Sequence, residues 1–358
     1  MRKLAAVIAA AVAIQFGLGL AAAAARAETV VKVGWCARTV TSAATPFAIA
    51  DKLGWYAKAG FKVELAPLPG STDCVKLVAT GDLPYSLPSV EPLITIRAQG
   101  VKAKIFYTAY EGNIYGFAVP VDSPIKSVKD LKGKKIGVQS MASAGVQVAR
   151  ALVGSAGMNP DRDAQIMVVG EAAQAAALVR GKQVDALSLY DTQYALIENA
   201  GVKLRMLDTG PIAKYPSNGF LALESTLKAN RAQAVALAQG YAMGTAFAMA
   251  NPEAAVRIMY EVFPQTKPTG KTEQQAIADD MRALNARIHS WLLKPNGVSR
   301  WGENSVANYR GYEDFLIAAG VIKQKVPVED LVTNELIGDI NKFDEAKIVA
   351  EAKAYKAK

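Results

Sequence analysis

Histidine is nearly missing: the 358 residues hold one, at position 289. A Ser-His-Asp or Cys-His arrangement would have to be built on that residue alone, and His289 stands in a charged stretch of helical periodicity. Cysteine is scarce as well, with Cys36 and Cys74 the whole supply, too few soft donors beside a remote histidine for a structural metal site. No Gly-Lys-Ser/Thr occurs between Gly137 and Gly145, and no dinucleotide-type glycine pattern joins a strand to a helix, so neither kind of phosphate-cradling loop is indicated. Aromatic residues make up 8% of the chain and do not interleave with the basic ones as in a nucleic-acid groove. The formal charge of +9 is scattered, leaving only a mild attraction for anions. Beyond the first 25 residues no stretch is apolar enough to cross a bilayer. No cofactor, metal ion or nucleic acid is expected, and no catalytic residue.

The N-terminus carries a positive signal. Arg2 and Lys3 precede an apolar, Ala-rich run from Leu4 to Ala25 that ends in Ala25-Arg26-Ala27. This reads as an export signal cleaved after Ala27, an uncleaved anchor being the alternative; no cysteine follows closely enough for lipid attachment. Cleavage also removes three of the positive charges. Export places Cys36 and Cys74 in an oxidising compartment where two thiols can pair. If the first two strands are neighbours in a parallel sheet, both cysteines lie at its carboxyl edge, and a disulfide is expected over two buried thiols.

From Val30 the periodicity alternates between strand and helix, the order of α/β proteins with parallel sheets. Val30 to Trp35 reads as a buried strand. A helix capped by Thr45 with Pro46 at its first position follows, then strand Phe61 to Ala66, a helix starting at Ser71 or Thr72, a short extended piece from Pro84 to Leu87, a helix capped at Ser89, and strand Lys102 to Thr108. The same order recurs from Tyr115 to Asn199, with strands at 115–120, 135–138, 165–169 and 184–189 and helices at 144–156, 172–180 and 192–199. After Phe220 to Glu224 the chain turns helical, and this tail is expected to pack onto the first half. Without a low-complexity linker, the connections are short crossings, near 111–113 and 215–219. The mature chain thus divides into one lobe of residues 28–112 and 218–358 and a second of 113–217.

Four segments then carry a resemblance. Ser123-Pro-Ile-Lys-Ser-Val-Lys-Asp-Leu-Lys-Gly-Lys-Lys-Ile-Gly-Val138, Ala50 to Glu64, Leu178 to Ala186 and Asn251-Pro-Glu-Ala-Ala255 occur in the order, and over nearly the whole mature span, of the type II periplasmic solute-binding proteins. More narrowly, the chain resembles their nitrate, sulfonate, taurine and thiamine-precursor (NMT1-like) group. The resemblance implies a two-lobed clamshell, each lobe an α/β sandwich, with a helical C-terminal extension. It also implies a monomer that captures a small solute in the periplasm and delivers it to the permease subunits of an ABC importer. An organic anion, such as an aliphatic sulfonate or an aromatic or alkyl carboxylate, is the leading ligand class. A neutral or cationic heterocycle such as a thiamine-precursor pyrimidine is the alternative, as is a secreted sensor using the same clamshell. An enzyme of pyrimidine synthesis shares the fold, but its cysteine-rich signature is missing here.

In open α/β sheets ligands sit beyond the carboxyl ends of the strands, where helix N-termini present free N–H groups. That rule selects the loop from Cys36 to Thr45, with Arg38, Thr39 and Thr41, then Ser71 and Thr72, and in the second half Ser140 and Ser143; the resemblance points to the same loops and to Ser89. Capping alone also accounts for Ser71, Thr72, Ser89 and Ser143. Arg38 pairs with a ligand anion or is a solvated loop charge, and Glu91 is a dipole-stabilised first-turn carboxylate unless it faces the cleft. Trp35 and Tyr190 at strand ends suit an aromatic or alkyl guest, and Asn218 lies in the second crossing.

Overall fold

The computed structural model describes residues 29–356; the expected export signal and its cleavage site lie outside them. Strand β1 (Thr29–Trp35) pairs in parallel with β2 (Phe61–Pro67) along its whole length, from Thr29 opposite Phe61 to Trp35 opposite Pro67. Only its inner positions are buried: Val30 and Lys32 alternate outward, so the strand is half-covered at its start rather than buried throughout. With β3 (Tyr85–Ser86), β4 (Ala103–Thr108) and β10 (Gly219–Leu223) it forms a five-stranded sheet of order β2-β1-β3-β10-β4. A second sheet, of order β7-β6-β8-β5-β9, is built from β5 (Tyr115–Pro120), β6 (Lys135–Val138), β7 (Gln165–Val168), β8 (Ala186–Tyr190) and β9 (Leu204–Met206).

Both sheets are mixed rather than parallel. In the first, β10 runs antiparallel to β3 and β4; in the second, β5 runs antiparallel to β8 and β9. The cause is the route of the chain. It leaves the first sheet at the carboxyl end of β4 and enters the second at its carboxyl edge, where Tyr115 pairs with Tyr190. It comes back the same way, Gly219 pairing with Thr108. A strand that enters from the carboxyl edge must point back against its parallel neighbours. Strand β9 is only three residues long and lacks a periodic signal of its own.

Helix starts follow local chemistry where a cap has no competing partner. Ser143 accepts from the Gly145 N–H at 3.1 Å and Asn251 from Ala254 at 3.1 Å, with Pro252 in the first turn. Thr272 and Gln275 form a reciprocal box that opens Glu273–Trp291. Several expected caps do not form. Neither Ser71 nor Thr72 caps Ser71–Ala79, because both lie in its first turn and Gly70 holds the cap position. Thr45 is the first residue of Thr45–Lys52, because a 3-10 turn at Ser42–Ala44 leads into the helix and displaces it from the cap position. Ser89 precedes a helix that starts at Glu91, and its hydroxyl goes to the Glu91 carboxylate instead of a backbone N–H.

The helical tail packs on both halves. Arg231–Ala250 lies along Thr45–Lys52 under the first sheet, and the aromatic core there interlocks Phe47, Phe220 and Tyr241 at ring separations of 4.9 to 5.8 Å. Such pairs add about 0.5–1.5 kcal/mol each beyond the apolar area they bury. Glu273–Trp291 instead packs against Asp191–Asn199 of the second half, and Val306–Ala318 meets Ala144–Ser155. Packing across the halves follows from where those helices bury their apolar faces, which a periodicity read one element at a time does not reveal.

Candidate functional site

Strands β1, β5 and β8 end or begin at facing carboxyl edges, and the loops there enclose a cavity. Trp35, Cys36 and Thr41 line it from the first half and Tyr115 and Tyr190 from the second, while Tyr110 and Asn218 come from the crossings. Arg287, reaching in from Glu273–Trp291, is the one charged side chain among the described residues of that wall. The space is small, about 30 Å³, room for about two water molecules.

The wall is tightly held. The Trp35 indole N–H donates to the Thr39 carbonyl at 2.9 Å, and the Asn218 amide donates to the Leu87 carbonyl at 2.8 Å. Cys36 is bonded to Cys74 with their Cα atoms 5.8 Å apart, tying the loop after β1 to the helix after β2. Burial pushes the Tyr190 hydroxyl well above the ordinary tyrosine range, and the nearby Glu171 adds to it; Tyr115 is raised by burial and then by Glu91. Both phenols are thus neutral donors. Arg287 gives its Nε and Nη2 to Asp191, at 2.8 Å to Oδ2 and 2.5 Å to Oδ1, and its guanidinium carbon lies 4.0 Å from the centre of the Tyr110 ring. Burial would lower the arginine's proton affinity, but the Asp191 charge and Tyr110 reverse that, so it stays ionised.

Other expected residues lie around this cavity rather than in it. Arg38 and Thr39 are exposed at the rim, and the contact they make is with the opposite half: the Arg38 N–H donates to Glu171 Oε1 at 3.1 Å and the Thr39 hydroxyl to Glu171 Oε2. The Gln139 amide reaches the same carboxylate. Thr72, also exposed, donates its N–H to the Ala142 carbonyl at 3.1 Å, and Ser140 donates its hydroxyl to the Pro69 carbonyl at 2.8 Å. These four residues seal the rim from both sides. Ser71, Ser89 and Glu91 are buried behind the wall: the Ser89 N–H donates to Ser71 Oγ at 3.1 Å, and Ser89 and Tyr312 both give hydroxyls to the Glu91 carboxylate. Burial raises the Glu91 carboxyl, and those two donors pull it back. Ser143 caps its helix.

Three participants escaped the sequence reading: Glu171, Asp191 and Arg287. Each looks like a solvated helix charge when read locally; the signal in the sequence was weak, since Glu171 and Asp191 directly precede or open predicted helices at a carboxyl edge. Asp191 also borders a second hollow of about 640 Å³ on the other side of the ion pair, with Tyr194, Met206 and Arg282.

Comparison with known proteins agrees with this architecture. The chain is 22% identical over 295 residues to a riboflavin-binding protein of Chloroflexus aurantiacus, covering 82% of each. Among solved structures, a protein of Bordetella bronchiseptica superposes with a TM-score of 0.68 at 20% identity, over 88% of this chain and 97% of that one. The alkanesulfonate-binding protein of Xanthomonas axonopodis, solved with MOPS, superposes with a TM-score of 0.63 at 17% identity, over 85% and 98%. These likenesses give the periplasmic-binding-protein fold. The profile of the family described as "NMT1/THI5 like" matches residues 41–255, more than half the chain, and this protein belongs to that family.

Proposed function

We propose that this chain is the solute-capturing component of an ABC importer: exported, cleaved after Ala27, and acting as a monomer in the periplasm. One lobe (28–112 with 218–358) and the other (113–217) rock about the crossings near 111–113 and 215–219. The observation that carries the reading is the rim. Glu171, Ala142 and Ser140 of one half hydrogen-bond to Arg38, Thr39, Thr72 and Pro69 of the other directly over an aromatic cavity. Such contacts form only when the halves are shut, as a trap that closes over its guest requires. An enzymatic reading has less support, because the one cysteine on the wall is held in a disulfide.

Relatives named for riboflavin and for alkanesulfonate leave both ligand classes open. The wall favours the uncharged one. Trp35, Tyr110, Tyr115 and Tyr190 offer ring faces and neutral hydroxyls, and the Arg287 charge is already matched by Asp191. A planar heterocycle or aromatic solute without net charge fits that chemistry better than a sulfonate or carboxylate. Native mass spectrometry of protein released gently from the periplasm tests the whole reading. A chain beginning at Glu28 and carrying a small uncharged adduct supports it; a bound anion would reverse the ligand class. No adduct, together with no thermal shift across flavins, pyrimidines, sulfonates and carboxylates, would remove the solute-capture reading.

A further inference from the structure

The pair of Asp191 and Arg287 stands where a ligand-binding arginine would be expected to greet an anion. Arg287 is fully enclosed and reaches the cavity wall from the helical tail. Asp191 comes from the opposite half, directly after the cavity residue Tyr190 at the corner between β8 and Asp191–Asn199. The guanidinium presents a planar fork whose best partner is a carboxylate, sulfonate or phosphate held by two parallel bonds. Here the edge formed by Nε and Nη2 is already taken, by bonds of 2.8 to 3.0 Å from Nε and 2.5 Å from Nη2.

The carboxylate is itself anchored. Its Oδ1 accepts from the Thr192 N–H at 2.6 Å, its own N–H donates to the Ile114 carbonyl at 3.0 Å, and it sits at the positive end of its helix. On the other side the guanidinium is stacked on Tyr110. Neither partner is free to swing away, and an incoming anion would have to displace an acceptor tethered in place at high effective concentration.

We infer that Asp191 is a specificity-determining residue of the cleft: it acts as a built-in anion that occupies the fork of Arg287 and turns the site away from organic anions toward uncharged rings. The inference rests on the reading of the cleft as the solute site. Neutralising either partner should expose the charge of the other and so give opposite selectivities.

The test uses the mature chain and three probes of similar shape: benzenesulfonate, benzenesulfonamide and benzamidinium, followed by calorimetry and thermal shift. The wild type should bind benzenesulfonamide at least as well as benzenesulfonate. Asp191→Asn should raise the affinity for benzenesulfonate relative to benzenesulfonamide by about tenfold or more, a gain that shrinks in high salt. Arg287→Gln should gain about as much for benzamidinium. Should Asp191→Asn lack a cooperative melt, Arg287→Gln carries the test alone. A wild type that prefers benzenesulfonate about tenfold, or variants with no change in charge preference, overturns the role of Asp191. Tyr190→Trp, which fills the cavity, separates that failure from failure of the site. If it abolishes probe binding while the charge variants keep wild-type selectivity, the cleft stands and Asp191 falls; if binding survives it, the cleft reading itself fails.

Discussion

Gly70 of one half lies so close to Ala142 of the other that a β-carbon on Gly70 would come within 2.3 Å of the Ala142 carbonyl oxygen. The backbone of Gly70 is extended, a conformation open to any residue, so the need for glycine here comes from the neighbour across the cleft. Gly70→Val should therefore leave each half intact and penalise only the shut form, by about 1–3 kcal/mol. Solute affinity should fall by about five- to a hundredfold, with an unchanged melting temperature in the absence of solute and a larger radius of gyration in X-ray scattering. Unchanged affinity would mean that closure does not bring these residues together.

Glu171 is the acceptor for the Arg38 N–H, the Thr39 hydroxyl and the Gln139 amide. Glu171→Ala removes all three bonds at a half-exposed rim, where each contributes about 1 kcal/mol or less. Stopped-flow displacement should show solute leaving about tenfold faster or more, with a smaller change for Glu171→Gln, which keeps one acceptor oxygen. Equal release rates in the two variants would count against a role in closure.

The disulfide between Cys36 and Cys74 closes a loop of sequence separation 38. Chain-entropy arithmetic assigns such a link about 4 kcal/mol, through the unfolded state. Denaturant unfolding of the Cys36→Ser/Cys74→Ser double variant should show a loss near that size. Because Cys36 lies on the cavity wall, solute affinity should fall as well; a variant that is less stable yet binds normally would separate the two roles.

Burial pushes the Glu111 carboxyl well above its ordinary value of 4.5, and Glu303 pushes it further; its Oε1 has no hydrogen-bond partner. The folded chain therefore keeps a proton that the unfolded chain has released. The stabilisation is complete below pH 4.5 and declines as pH rises toward the folded value. Glu111→Gln should abolish the decline, so that the wild-type melting temperature falls relative to the variant as pH rises above 4.5. Parallel melting curves over that range would show that Glu111 ionises freely in the fold.

Local chemistry accounts for what could be read in advance. Ser143, Asn251 and Thr272 cap helices because the bonds they make span two or three residues. Cys36 and Cys74 could be paired on paper because each sits at a fixed offset from the carboxyl end of an adjacent strand. Ser89 failed as a cap because a buried carboxylate two residues on competes for its hydroxyl. Arg38 and Thr39 meet Glu171 at the rim, a partner more than 130 residues away that no local reading can supply.

The order of elements and the family were determined by the sequence alone, since each depends on periodicity or on spacings within one turn or strand. Which charges are spent on each other was decided only by the tertiary structure. Arg287 and Asp191 are 96 positions apart, each on the surface of its own helix, and they meet because the tail helix packs against the second half. Electrostatic pairing acts through space over a few ångströms, and the charge left on this cavity wall is set by that meeting.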